Sequence, residues 1–262
     1  RDKLSVGAGN VSLFNFTAGS IVQVWDVTDP VNIKKQEYGN GTSFVIPTDE
    51  LKEFIAFDGT GFYFPAPAGL IANQNLHGLG QMDMVIVSHP AFISEANRLA
   101  EFHRTKSNLD VVVVTPDQVY NEFSSGTNDL SAIRDFTKMF YDRAAGNTAE
   151  MPKYLLLFGD GTYDNKNLGD YFIPNYETEI TYETLLTYVT DDYFGMLDDN
   201  EGANLNNTAA EIVDVGVGRI PADDVSQAQT AVDKIKMYYS NSAYGDWRNQ
   251  GTFVAEIGRA HV

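Results

Sequence analysis

Three short runs constrain the fold of this chain more than anything else in it: MDMVIVS at 82–88, LDVVVVTP at 109–116 and KYLLLFGDG at 153–161. Each is almost continuously apolar and no longer than a strand, the pattern of a parallel strand covered on both faces. Stretches with helical spacing separate them. After Pro90, which suits the first turn of a helix, Phe92, Ala96, Leu99, Ala100 and His103 recur on one side. Ile133, Phe136, Phe140 and Tyr141 do the same within DLSAIRDFTKMFYDRA at 129–144. EIVDVGVGRIP at 211–221 reads as a fourth strand through Ile212, Val213, Val215 and Val217. Asp224 with Gln227 then opens a helix whose buried stripe is Val225, Ala228, Val232, Ile235 and Tyr239. GTFVA at 251–255 opens a fifth strand. Strands alternating with helices predict an α/β fold: an open, mostly parallel sheet with helices on both faces.

Residues 1–72 read differently, as a β-rich lead-in. IVQVWDV at 21–27 is strand-like, Gly39-Asn40-Gly41 supplies a turn, and FIAFDGTGFYFPAP at 54–67 holds two apolar runs around Asp58-Gly59. The α/β part is expected to occupy 73–255.

Ligand chemistry in an open parallel sheet sits beyond the carboxyl ends of the strands. That rule selects Ser88-His89, Thr115, 159–167 and Gly218-Arg219. In FGDGTYDNKN, Asp160 and Asp164 form a candidate carboxylate pair for a hard cation, since Ca²⁺ and Mg²⁺ take oxygen ligands. The competing reading is a sharp turn at Gly159 and Gly161 in which Asp160 accepts backbone amides. TYVTDDYFGMLDDNEG at 187–202 concentrates Asp191, Asp192, Asp198, Asp199 and Glu201. Paired carboxylates there could hold a cation or a basic side chain, and two adjacent charges inside an aromatic stretch call for a specific partner for at least one of them. Asp198 onward reads better as a solvated turn. His89 reads as a structural helix-entry residue, His103 as a core or boundary residue, and His77 lies in the connector. No paired-histidine metal motif, nucleophile elbow or phosphate-binding glycine loop occurs.

The balance of 36 acidic against 18 basic residues gives a net charge of -18, which argues against nucleic acid or anionic membrane as a partner. No apolar run approaches the roughly 18 residues of a membrane span. The chain contains no cysteine, so it has no disulfide, thiolate metal site or thiol nucleophile of its own. It begins on Arg1, and the reading frame is expected to start inside a longer protein.

The order of motifs says more than any one of them. PKYLLLFGDGTYDN (152–165), YVTDDYFGMLDD (188–199), VDVGVGRIPADDVSQAQTAVDKIKMYY (213–239) and GDWRNQGTFVA (245–255) follow one another as in the gingipain-type cysteine peptidases, peptidase family C25, which the chain resembles over residues 70–255. QNLHGLGQMDMVIVSHPAFISEANRLAEFHR (74–104) and TPDQVYNEFSSGTNDLSAIRDFTKMFYDR (115–143) fit the same pattern, and the likeness is strongest to sortase-type members of the type IX secretion system. The resemblance implies a caspase-like sheet, here its first half, with the catalytic His and Cys on later strands. It implies a bacterial surface, outer-membrane-associated or secreted peptidase that cleaves proteins carrying a C-terminal sorting domain. Protein or peptide substrates and other secretion-system components are the implied partners. No cofactor is required, and there is room for a structural Ca²⁺ with Asp160 and Asp164 as candidate ligands. In arginine-specific members an [ST]-D-x-x-[YF]-G stretch places its Asp at the base of the primary specificity pocket. Thr190-Asp191-Asp192-Tyr193-Phe194-Gly195 matches it, giving that role to Asp191 with Asp192 beside it. The family's His-Gly and nucleophilic Cys have no counterpart, so this chain alone is expected to be inactive. The alternative is an acidic calcium-binding adhesion module without catalysis.

The last residues, EIGRAHV at 256–262, resemble the translation of a sequencing-library adapter. They are expected to be foreign, which removes His261 from any site.

Overall fold

In a computed structural model the described residues are 11–15, 23–37, 43–47, 51–67, 69–162, 171–178, 188–199, 201–202, 212–240 and 244–251. They divide into two compact units, Arg1–Ile71 and Ala72–Val262.

The first unit holds strands β1 (Val11–Asn15), β2 (Gln23–Asp26), β3 (Lys34–Gln36), β4 (Ser43–Pro47) and β5 (Phe54–Phe57). β1 pairs with β4, and β2 pairs with β3 on one side and β5 on the other, all antiparallel. Alternation along these short strands sends Phe14, Phe44 and Phe54 together, with ring centroids 4.9–5.4 Å apart. Such ring pairs contribute about 0.5–1.5 kcal/mol each beyond the area they bury. Only the first of the two apolar runs at 54–67 becomes a strand. Asp58 accepts hydrogen bonds from the amide and hydroxyl of Thr60, turning the chain, and Phe62, Tyr63 and Phe64 beyond it are exposed and unpaired in any ladder. The expected turn at 39–41 lies outside the described residues.

In the second unit the three constraining runs become β6 (Met84–Ser88), β7 (Val111–Val114) and β8 (Tyr154–Phe158), joined by β11 (Gly216–Ile220) in a parallel sheet of order β11-β8-β6-β7. Every residue of β6 is buried, as an apolar run without alternation requires. Two short strands, β9 (Tyr176–Glu177) and β10 (Val189–Thr190), pair antiparallel outside this sheet.

Helices cover both faces. On one face α2 (Pro116–Phe123) and α3 (Leu130–Ala144) bury Val119, Ile133, Phe136 and Phe140 against Val85, Val87, Leu155 and Leu157. On the other, α1 (Ile93–Lys106) and α4 (Val225–Tyr238) bury Ala96, Leu99, Ala228 and Val232 against Ile86 and Phe158. Pro90 does not open α1 directly; residues Pro90–Phe92 make a 3-10 turn first, capped by His89. Helix α2 escaped the sequence reading because it is short, yet it carries a complete capping box from Thr115 and Gln118.

Two sequence expectations are corrected. Residues 212–215 are not part of the fourth strand: Ile212 and Val213 are 69% and 41% exposed. Glu201 accepts the Ile212 amide, and the Asp214 amide donates to the Gly195 carbonyl, so the segment is held as a loop. Val225 and Tyr239, at the ends of the α4 stripe, are exposed as well. α4 sits beside α1, tied by Arg98 to Asp233 and to the Gln229 carbonyl, and its middle turns alone are buried. The fifth strand and the 256–262 tail lie outside the described residues.

Candidate functional site

Strand β11 alternates, and Arg219 falls on the same face as Val215 and Val217, which belong to the core beneath α3. A guanidinium on an apolar face needs acceptors for its five N–H groups. Its side chain is 12% exposed, and the carboxyl end of the sheet supplies those acceptors. Nε donates to Asp191 Oδ2 at 2.8 Å and one terminal nitrogen to Asp191 Oδ1 at 2.7 Å, a bidentate ion pair. The remaining donors reach the carbonyls of Gly159, Asp160, Ile173 and Pro174 at 2.9–3.3 Å. Leaving such a buried carbonyl without a donor costs about 1–3 kcal/mol, so Arg219 fixes three loops at once.

The loop after β8 approaches its neighbours so closely that only glycine fits at 159. A Cβ there would lie 2.8 Å from the Tyr171 carbonyl oxygen and from Ile173 Cγ1. Asp160 bridges to the 171–173 segment through its backbone, and its carboxylate accepts the Gly161 amide at 2.8 Å. This is the turn arrangement foreseen for it. Asp164 lies outside the described residues. Among the described residues no three His, Asp or Glu side chains are grouped where they could hold a metal ion.

The 190–195 stretch closes the other side. After Asp191, residues Asp192–Gly195 form a 3-10 turn that buries Tyr193 and Phe194. Tyr193 stacks on Tyr176 at 4.5 Å and shares a hydrogen bond with Ser131 of α3. Gly195 ends the turn because it lies flat on the sheet edge, where a Cβ would meet Val217 Cγ2 at 2.6 Å. Asp191 is 25% exposed and has the specific partner that an acidic pair inside an aromatic stretch calls for. That partner is internal: Arg219. Asp192 is exposed and its amide donates to Thr190 Oγ1.

Asp198 and Asp199 are not merely solvated. Tyr141 donates to Asp198 and Asp214 at 2.9 and 3.3 Å, and Lys138 reaches Asp142, Asp199 and the Leu197 carbonyl. The hydrogen bond to Asp198 holds the Tyr141 phenol well above its ordinary range, with burial and the Asp214 charge acting the same way. Burial alone would lower the Lys138 ammonium, but its hydrogen bonds to Asp142 and Asp199 raise it. This network pins residues 197–199 to α3.

The histidines do structural work. His89 Nδ1 accepts the Ala91 amide, and its ring packs on Phe92 and Tyr171. His103 lies half-buried beside Ser107, with burial lowering its pKa. His77 stacks on Phe123 and meets Glu122 at 2.8 Å. His261 lies outside the described residues. A cavity of about 560 Å³ opens at the opposite end of the sheet, over Met84, Tyr154 and Gly216. It is remote from the strand ends where parallel sheets carry their chemistry.

A four-stranded parallel sheet between two helical layers, with its carboxyl edge organised by the part-buried Asp191–Arg219 ion pair, defines a caspase-like α/β domain. The crystal structure of dimeric latent PorU from Porphyromonas gingivalis matches with a TM-score of 0.74 at 34% identity, covering 92% of this chain and 24% of that one. The pattern of peptidase family C25 matches residues 77–260, and the chain belongs to that family. It spans about a quarter of the PorU chain. Gingipain R, an Arg-specific cysteine proteinase, matches at 16% identity with a TM-score of 0.41 over 64% of this chain and 31% of its own, too slight a likeness to carry an argument. No curated protein sequence matches.

Proposed function

We propose that this chain is the framework portion of a C25 cysteine peptidase of the bacterial cell surface, one that cleaves secreted proteins at a C-terminal sorting domain. The observation that carries the reading is family membership over 77–260 combined with a chain that holds no cysteine. In this reading the thiolate comes from sequence outside these 262 residues, which hold no cysteine, and the resemblance places the family's His-Gly there too. In the complete protein the histidine would take the thiol proton, the thiolate would attack the scissile carbonyl, and backbone amides would stabilise the oxyanion. The sorting role is what the resemblance to sortase-type members implies, and the 34% identity to PorU supports the family placement on which it depends. Residues 190–195 form one wall of the substrate pocket in this reading, with Asp191 behind it and Asp192 at its surface.

The pure 262-residue chain is expected to hydrolyse no peptide, because it has no thiol to form an acyl-enzyme. Peptide turnover by it would refute the proposal. Sequencing the native locus past this segment is expected to reveal a His-Gly and a Cys on successive strand ends. Of the two carboxylates the calcium-binding alternative names, Asp160 accepts the Gly161 amide on Oδ1 and Asp164 lies outside the described residues.

A further inference from the structure

Glycine at two positions of β11 leaves a gap in the sheet face that α1 and α4 cover. The parallel register sets the residues of that face in rows: Met84, Tyr154 and Gly216 in one, Ile86, Leu156 and Gly218 in the next, Ser88, Phe158 and Ile220 in the third. Only in the third row does β11 supply a side chain. A Cβ at Gly218 would meet no atom within 4 Å. The end of α4 does not fill the space either, since Tyr239 is 56% exposed. The result is the cavity of about 560 Å³, with the half-exposed rings of Tyr154 and Tyr239 among its walls. Glycine inside a strand marks a place where a ligand can approach the backbone closely.

The walls limit what can enter. Met84, Leu109 and Leu156 are apolar, and no Asp, Glu, Lys or Arg is among the described residues that line the cavity. Hydrogen-bonding capacity comes from Ser107 and His103, whose Oγ and Nδ1 lie 3.2 Å apart. Burial lowers the His103 pKa, so this imidazole is uncharged at neutral pH. An ion entering here would lose hydration and gain no counter-ion. Size sets the other limit: a cavity of about 150 Å³ already holds one benzene ring.

We infer that this cavity is a binding site for an uncharged aromatic molecule of about two fused rings, one that lies against Gly218 and offers a single hydrogen-bonding group to His103 or Ser107. The site does not depend on the peptidase reading, because it lies at the end of the sheet away from the strand ends where that chemistry belongs. Its occupant touches the end of α1, the residue that follows α4, and strands β8 and β11, so binding ties these elements together.

Indole is the probe, being neutral, aromatic and the bearer of one N–H. In the 262-residue chain labelled with ¹³C at the methionine methyls, the Met84 signal is assigned by its loss in the conservative Met84→Leu. Indole is expected to shift that signal saturably, to leave Met139 and Met196 in the core on the other face unmoved, and to raise the Tm. Indole-3-acetate, the same rings with a carboxylate, is expected to bind at least about tenfold more weakly. Gly218→Leu grows a side chain into open space and is expected to keep the far-UV circular dichroism of the parent while weakening indole at least about tenfold. The Met84 shift and the comparison with indole-3-acetate involve no change in β11, so they decide the matter even if Gly218→Leu does not fold. An unmoved Met84 signal at the solubility limit of indole, equal binding of indole-3-acetate, or a folded Gly218→Leu that binds indole as the parent does would each overturn the site.

Discussion

Glu122 shows how much a single side chain organises here. It accepts the amides of Leu76 and His77, the Gln74 side chain and the His77 ring, and so fastens the 74–79 connector to α2. Burial pushes its pKa up, but these hydrogen bonds outweigh it and hold the carboxyl at about 2. A carboxyl depressed on folding adds stability that is complete above its unfolded pKa and lost as pH falls through the folded one. Stability should therefore decline from about pH 4.5 toward pH 2, and Glu122→Gln should flatten that decline and cost on the order of 2 kcal/mol at neutral pH, as urea titrations across pH would show. At this scale the sequence was an uneven guide. The demand for a partner near Asp191 and the turn role of Asp160 could be read from neighbouring residues. Arg219 as that partner could not, because the two lie 28 positions apart. The period-2 alternation that puts Arg219 on the Val217 face was the one available signal.

Whole elements were more legible than their edges. β6, β7 and β8 stand out as nearly unbroken apolar runs because both of their faces are covered, and a doubly buried strand leaves little room for polar residues. Residues 212–215 looked like more of the same, yet Glu201 and Gly195 capture their backbone from outside the sheet, a tertiary effect with no local trace. The start of α4 was readable for a local reason: Asp224 accepts the Gln227 amide at 2.7 Å. Its capping box is incomplete, since Gln227 turns to the Asp223 amide instead of the Asp224 amide. Asp224→Ala is expected to cost about 1 kcal/mol by loss of this cap, seen as a lower denaturation midpoint with an unchanged m-value. A wild-type midpoint in that variant would mean that packing on α1 alone sets the helix start.

At the scale of the whole molecule, the two units are joined through a stretch in which Tyr63, Phe64 and Leu70 are 99%, 89% and 104% exposed. Low doses of chymotrypsin should cut first at Tyr63 or Leu70 and release a helix-containing fragment from the second unit, as mass spectrometry and circular dichroism would report. A first cut within 84–158 would show that the sheet opens more readily than the connection. The strand order also shapes how such a sheet is made in the cell. Met84 of the central strand pairs with Val111 on one side and Tyr154 on the other, so its second neighbour is 70 residues downstream. At roughly 5–20 residues per second, a ribosome leaves MVIVS without its β8 neighbour for about 4–14 s. During that interval the most fully buried of the described strands is a nascent surface, and its protection falls to whatever binds the emerging chain.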